Sequence, residues 1–180
     1  MQPEALIQLI INEFKYKTLY HFTDKANLNL IREHGLLSKQ QLTDRCVTPQ
    51  FFGGDEQSHK SDLRNGIFDY VSLSFVPNHP MAYTCRQDGR HPDQVIIPID
   101  PSVILKEETK ISMCLANAKD AKIIPLAEGL DNLDTEIWRN NHGLKFTEIA
   151  DRVTKGTKVE VLIHQQIEPN FLGYEFKPRE

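Results

Sequence analysis

The chain has 180 residues, of which 39% are hydrophobic and 26% charged, so it can bury a core and is expected to form one domain over residues 1–180. Its net charge of -4 excludes the strongly basic footprint of a general nucleic-acid binder, but leaves a local basic groove open. Three widely spaced cysteines form no C-x-x-C pair, and no signal peptide or bilayer-spanning run is visible. These features predict a soluble cytoplasmic protein.

The first part of the chain predicts a helix, a strand and a second helix. Apolar residues recur at helical spacing over residues 4–14, which predicts the first helix. Residues 17–22 are rich in β-branched and aromatic side chains and predict a strand. Thr23 or Asp24 can cap the helix that follows, and Gly35 suits the left-handed position that ends it.

The rest of the chain predicts an irregular segment followed by short elements. Residues 39–66 hold few apolar positions, and irregular segments of that length are usually functional or disordered. The remaining predicted elements are strands over residues 70–76, 95–99 and 159–163 and helices over residues 81–87, 111–118 and 133–139. Short strands interspersed with helices, without regular βαβ units, predict an α+β fold with a mixed or antiparallel sheet.

Common catalytic motifs are absent from the sequence. It contains no G-x-S-x-G, G-x-x-x-x-G-K-[ST], G-x-G-x-x-G or H-E-x-x-H, which excludes a serine elbow, a P-loop, a Rossmann turn and a zincin site. His59, His79 and His91 would be the histidines for a metal site, but their irregular spacing favours random scatter over an ordered ligand set.

His21 and Thr23 lie on one face at the end of the first predicted strand. A core or edge histidine is the more common case for a lone imidazole in a strand. Together, however, the two polar side chains precede a helix N-terminus, whose unpaired N–H groups suit an anionic or ribose-bearing ligand. The pair is therefore either structural or part of a binding cleft.

Two other strands carry polar side chains. Glu160 interrupts the apolar strand in KVEVLIHQ, where it is either solvent-facing or a buried functional carboxylate. Tyr70, Ser72 and Ser74 form a polar row in YVSLSFV that lines a pocket or is the wet side of a sheet. If these strands and His21 converge on one cleft, they suit displacement of nicotinamide from NAD. An imidazole or hydroxyl would fix the ribose, and a carboxylate would stabilise the positive charge that develops on the sugar.

Three segments, taken in order, resemble the motifs of the DarT-type ADP-ribosyltransferases, a domain formerly of unknown function. They are YHFTDKANLNLIREHGLLS, DYVSLSFVPNHPMAY and KVEVLIHQQIEP, and the resemblance covers roughly residues 18–168. It implies an ADP-ribosyltransferase-like fold with flanking helices, in which NAD binds between two small sheets. It also implies transfer of ADP-ribose from NAD to a base of single-stranded DNA, often by a toxin that a macrodomain antitoxin opposes.

The resemblance assigns roles to individual residues, with NAD as substrate. Glu160 would be the catalytic carboxylate, His21 would hold the NAD ribose, and Met81 would line the nicotinamide side. The cofactor-binding residues would be His21, Thr23, Asn27, Tyr70 and Met81.

The sequence departs from the family at its basic residues. The family has a basic residue, usually arginine, before the second motif, and here the candidates are Lys60 and Arg64. His79 stands in a turn where the family commonly has arginine or another polar residue. The lack of a clear arginine favours the alternative of a non-catalytic NAD- or nucleotide-binding module of the same fold. A chance match to an unrelated interaction protein is the third interpretation.

A cluster of basic residues precedes Glu160 and consists of Lys145, Arg152, Lys155 and Lys158. Such a run is either a solvated face or a surface for the acceptor. Phosphate contacts from these side chains would position a nucleic-acid strand without reading its sequence. Because a base must be unstacked to be modified, the expected partner is a single strand. The resemblance implies that this strand is DNA rather than RNA.

Overall fold

A six-stranded antiparallel sheet forms the centre of the protein, in a computed structural model that describes residues 1–54, 56–139 and 146–176. The strands are β1 (Leu19–Asp24), β2 (Leu36–Leu37), β3 (Tyr70–Ser74), β4 (Gln94–Ile99), β5 (Lys110–Ser112), β6 (Ile123–Pro125), β7 (Glu160–His164) and β8 (Gln166–Ile167). Their order in the large sheet is β4-β1-β3-β7-β5-β6, and β2 pairs with β8 in a second sheet of two strands. The predicted α+β fold with two sheets is confirmed.

Helices flank the sheets. They are α1 (Pro3–Asn12), α2 (Leu28–His34), α3 (Lys39–Asp44), α4 (Glu56–Arg64), α5 (Pro80–Gln87), α6 (Leu126–Gly129) and α7 (Phe146–Gly156). Short 3-10 turns cover Lys25–Asn27, Pro101–Leu105, Leu130–Asn132, Thr135–Trp138, Pro169–Phe171 and Tyr174–Phe176. No helix within the described ranges is long and apolar enough to cross a membrane.

The main apolar core lies on one face of the large sheet. There β3 and β7 contribute their odd-numbered residues, and Leu6 and Ile10 of α1 belong to the same core. Phe75 and Trp138 stack within this core, with ring centroids 4.3 Å apart. Burying side chains of this size stabilises the fold by about 1.5–3 kcal/mol each. The opposite face carries only a small apolar cluster in the described chain, which leaves room there for polar side chains.

Strand β1 pairs unevenly with its two neighbours. All six of its residues pair with β4, but within the described chain it pairs with β3 only at Tyr20 and Ser74. The Ser72 carbonyl oxygen of β3 instead forms a hydrogen bond with the side chain of His21. The sheet therefore separates beyond Tyr20, at the point where the polar end of β1 begins.

A 3-10 turn stands between β1 and α2, and the predicted capping pattern applies to that turn. Asp24, the last residue of β1, is its cap, since the Asp24 carboxylate accepts a hydrogen bond from the Ala26 N–H at 2.9 Å. α2 itself begins after Asn27 without a side-chain cap. Gly35 ends α2 with a φ of 77°. A Cβ at this position would collide with the carbonyl oxygen of Ile167 in β8, so glycine is required both for its conformation and for close strand approach.

Three predicted elements are wrong. Residues 39–66 are not one irregular segment, because they contain α3 and α4; no described residue of either helix is buried, so neither shows apolar periodicity. Residues 111–118 were expected to be helical, but Ile111 lies in β5, because a short apolar run does not distinguish a strand from a helix. Residues 133–139 were expected to be helical as well, but they contain only the 3-10 turn Thr135–Trp138.

Candidate active site

A cavity of about 250 Å³ opens where β1 separates from β3. Residues of β1, β3 and β7 line it, together with residues of α2, α3 and α4. The structure brings together in this cavity all the residues that the sequence assigned to NAD and to catalysis: His21, Thr23, Asn27, Tyr70, Met81 and Glu160.

Glu160 begins β7 and is almost fully buried. Its neighbours across the sheet are Ser74 and Ser112, whose small side chains leave space for the carboxylate. Burial raises the pKa of Glu160 to about 7; the Ala116 N–H, which donates to Oε2, opposes that rise, and the charge of Asp62 adds to it. A carboxylate with such a pKa can stabilise a cation when ionised and can also exchange a proton near neutral pH.

His21 has one ring nitrogen committed to the protein. Nδ1 lies 3.0 Å from the Ser72 carbonyl oxygen, which can only accept, so Nδ1 carries the proton. Burial lowers the pKa of His21 to about 4, so that the ring is neutral at pH 7. Nε2 is therefore the acceptor of this imidazole and is suited to a ligand hydroxyl.

The side-chain amide of Asn27 is hydrogen-bonded within the protein. Nδ2 donates to Thr23 Oγ1 at 3.1 Å and to the Phe51 carbonyl at 2.7 Å. Oδ1 accepts from the backbone N–H groups of Gln50 and Phe51. Both amide hydrogens are used, so Asn27 positions the Gln50–Phe51 segment against the cavity instead of offering a donor to a ligand.

Phe22 holds an aromatic stack beside the cavity. Its ring lies nearly parallel to that of His79, with centroids 6.0 Å apart, and edge-on to that of His91 at 5.9 Å. Burial lowers the pKa of both histidines, to about 4 for His79, so neither is charged at neutral pH. Among the described residues, no group of three or more His, Cys, Asp or Glu side chains is arranged to hold a metal ion.

The sequence matches a family model over residues 20–174, and that model is described as ssDNA thymidine ADP-ribosyltransferase, DarT. This chain belongs to the DarT family. No curated protein matches the sequence.

Solved DarT structures share the fold. Thermosipho africanus DarTG in complex with ADP-ribose superposes with a TM-score of 0.64 at 20% identity, over 87% of this chain and 42% of that chain. Thermus sp. 2.9 DarT superposes with TM-scores of 0.61 in complex with ADP-ribosylated ssDNA and 0.57 in complex with NAD+, at 18% and 17% identity. Both Thermus comparisons cover 86% of this chain and 78% of the Thermus chain. The chain thus spans less than half the length of the Thermosipho protein, and the predicted ADP-ribosyltransferase-like fold is confirmed.

Lys39 is a cavity residue that the sequence analysis missed. Of the described residues that line the cavity in this DarT family member, it is the only lysine or arginine. Its Nζ forms an ion pair with Asp62, which also lines the cavity. The two predicted basic candidates lie elsewhere: Lys60 is exposed and pairs with Glu56, and Arg64 is exposed on the same helix. The cap that Ser38 provides to α3 is the local pattern that could have drawn attention to Lys39.

The described members of the other basic cluster, Arg152, Lys155 and Lys158, do not line the cavity. Arg152 forms a two-pronged ion pair with Asp134, with N–O distances of 2.6 and 2.7 Å. Lys155 lies in the last turn of α7 and Lys158 lies two residues before β7, so both are close in sequence to the start of the strand that carries Glu160. Lys145 lies outside the described residues.

Proposed function

We propose that this chain transfers ADP-ribose from NAD to the thymine base of single-stranded DNA. The observation that carries the proposal is the meeting of His21 and Glu160 in one cavity, in a chain that belongs to a family described as ssDNA thymidine ADP-ribosyltransferases. Related Thermus structures that hold NAD+ and ADP-ribosylated ssDNA support the same substrates.

The geometry suggests how the cavity would act on NAD. The unprotonated Nε2 of His21 accepts a hydrogen bond from a ribose hydroxyl and fixes the sugar. The bond between C1′ and nicotinamide breaks, and its electron pair leaves on the neutral nicotinamide. Ionised Glu160 stabilises the positive charge that develops on the ribose, and this attraction is strengthened because the carboxylate is buried.

The acceptor completes the transfer. Thymidine has a single ring N–H, and that nitrogen forms the new bond to C1′. The released proton needs a base, and Glu160, whose pKa of about 7 is set by burial, can take it once the sugar has lost its charge. One carboxylate can therefore serve both halves of the reaction.

The test measures transfer directly. The protein is incubated with NAD and single-stranded oligonucleotides that contain or lack thymine, and the mass gain of one ADP-ribose is followed by mass spectrometry. We expect a gain only on the thymine-containing strand and none on its duplex, and loss of the gain in Glu160→Gln at unchanged circular dichroism. Modification of strands without thymine, or an active Glu160→Gln, would refute the proposal.

A non-catalytic NAD-binding module is the second candidate. The observation that favours it is the absence of arginine from the described cavity lining, since the family usually has one. Calorimetry then measures NAD binding, and chromatography measures release of nicotinamide. Binding without nicotinamide release, with every oligonucleotide supplied, identifies the module.

We further propose that the chain acts in the cytoplasm as the toxin of a pair with a macrodomain antitoxin. The likeness to Thermosipho africanus DarTG supports the pairing, and three cysteines that form no disulfide suit a reducing compartment. Expression in bacteria should arrest growth for the wild type and not for Glu160→Gln, and a co-expressed macrodomain hydrolase should restore growth. Growth arrest that persists with the Glu160→Gln variant would contradict this role.

A further inference from the structure

His79 is a buried histidine that the proposed reaction does not yet use. Only 2% of its surface is exposed, and it stands at the N-cap of α5, far in sequence from β7. Its Nε2 nevertheless lies 3.5 Å from Oε1 of Glu160.

The cap decides which nitrogen of His79 carries the proton. Nδ1 accepts a hydrogen bond from the backbone N–H of Met81 at 3.3 Å, so Nδ1 has no hydrogen of its own. Burial lowers the pKa of the ring to about 4, so at neutral pH it carries a single proton. That proton is therefore on Nε2, the nitrogen that approaches Glu160.

The Nε2–H group has no hydrogen-bond partner among the described residues. A buried donor without a partner costs about 1–3 kcal/mol, so such groups are normally paired. The parallel stack on Phe22 and the cap to Met81 both restrict the ring, so a small movement of the carboxylate closes the 3.5 Å gap more readily than a rotation of the imidazole does.

We propose that His79 is the positioning residue of Glu160 and donates Nε2–H to Oε1 during the reaction. The Ala116 N–H already donates to Oε2, so the two donors would hold both oxygens and favour the ionised carboxylate. This inference rests on the proposed function. It also gives the cap of α5 a second purpose, because the cap fixes the tautomer that Glu160 needs.

Two substitutions separate this role from capping alone. In His79→Asn, the side-chain oxygen replaces Nδ1 as the cap, but no atom reaches the position of Nε2. In His79→Gln, the amide nitrogen reaches that position, but the cap is lost. His79→Asn therefore removes only the donor to Glu160, and His79→Gln removes only the cap of α5.

The kinetic test follows nicotinamide release. A hydrogen bond to a charged group changes a rate by about 10- to 100-fold, so we expect kcat to fall by that factor in His79→Asn while the KM for NAD and the Tm stay near wild type. His79→Gln should recover most of the lost kcat with a Tm lower by a few degrees, roughly. The reverse pattern, with His79→Asn active and His79→Gln inactive, would assign His79 to capping only.

A second measurement does not depend on activity and so tests His79 even if the chain cleaves no NAD. The carboxyl carbon of Glu160 is followed by NMR in ¹³C-labelled protein, with Glu160→Gln used to assign the signal. Besides His79, the groups that face Glu160 are the Ala116 N–H, Ser74, Ser112 and, through its charge, Asp62. In His79→Asn the Glu160 titration should move to higher pH, and in His79→Gln it should return towards the wild type. An unmoved titration in His79→Asn overturns the proposal.

Discussion

Replacing Glu160 with glutamine should make the protein more stable at alkaline pH, although it removes the proposed catalytic group. Burial raises the pKa of Glu160 from 4.5 to about 7 in the folded protein. One pKa unit corresponds to about 1.4 kcal/mol, so keeping the ionised carboxylate in the cavity costs the folded state about 3 kcal/mol. Glutamine has a similar shape and no charge, so it does not carry this cost.

The sign of the pH dependence follows from proton binding. Below the pKa of Glu160 in the unfolded chain, the side chain is protonated in both the folded and the unfolded state, and its burial as a charge costs nothing. Above about pH 7 the side chain is ionised in both states, and the folded state carries the full cost of the buried charge. In between, the folded protein binds more protons than the unfolded chain, so the free energy of unfolding falls as the pH rises. We therefore expect the variant's advantage to grow from about 1 kcal/mol at pH 5 to about 3 kcal/mol at pH 8.

The assay is urea unfolding of both proteins at several pH values between 5 and 8.5, followed by circular dichroism. The difference between the two free energies of unfolding is the quantity of interest. The lowered pKa values of His21 and His79 also make stability depend on pH, but they act in both proteins and largely cancel in the difference. A difference that stays constant across this range, or that grows towards acid, would refute a buried, desolvated Glu160.

Three further predictions concern the backbone at Gly35, the positioning of the cavity wall and the surface for DNA. Gly35→Ala should lower the free energy of unfolding by about 2 kcal/mol or more, because strain at positive φ adds to a backbone collision, whereas Gly66→Ala, with positive φ in open space, should cost only about 1 kcal/mol; equal losses would contradict this. Asn27→Ala should speed hydrogen exchange in the segment it holds and weaken NAD binding, and unchanged exchange would remove its positioning role. Lys155→Ala combined with Lys158→Ala should weaken binding to single-stranded oligonucleotides and reduce its salt dependence at an unchanged KM for NAD, and an unaltered salt slope would exclude both lysines from the DNA surface.

The family could be predicted from the sequence because each of the family's motifs is a short continuous segment. The histidine in the first strand, the capping glycine and the glutamate in an apolar strand can each be recognised within a few residues, and their order along the chain is that of the family. The strand that carries Glu160 and the helix that ends at Gly35 were predicted for the same reason, since alternation and capping act between near neighbours.

Elements without a local apolar pattern were not predicted. The helices α3 and α4 have no buried residue among those described, so nothing in their periodicity separates them from loop. Lys39, which α3 carries into the cavity, was missed with them. Ile111 belongs to a strand only because β7 lies beside it, and a tripeptide cannot encode that neighbour.

The sequence by itself determined the chemical groups of this protein, the order of its motifs and the elements whose caps or alternation lie within one turn or one strand. Only the tertiary structure decided which of those groups meet. Strand order and register place Glu160 between two serines, and the separation of β1 from β3 opens the cavity. The approach of His79 to Glu160 arises in the same way, because contacts across a sheet depend on pairings between distant segments, which local propensities do not specify.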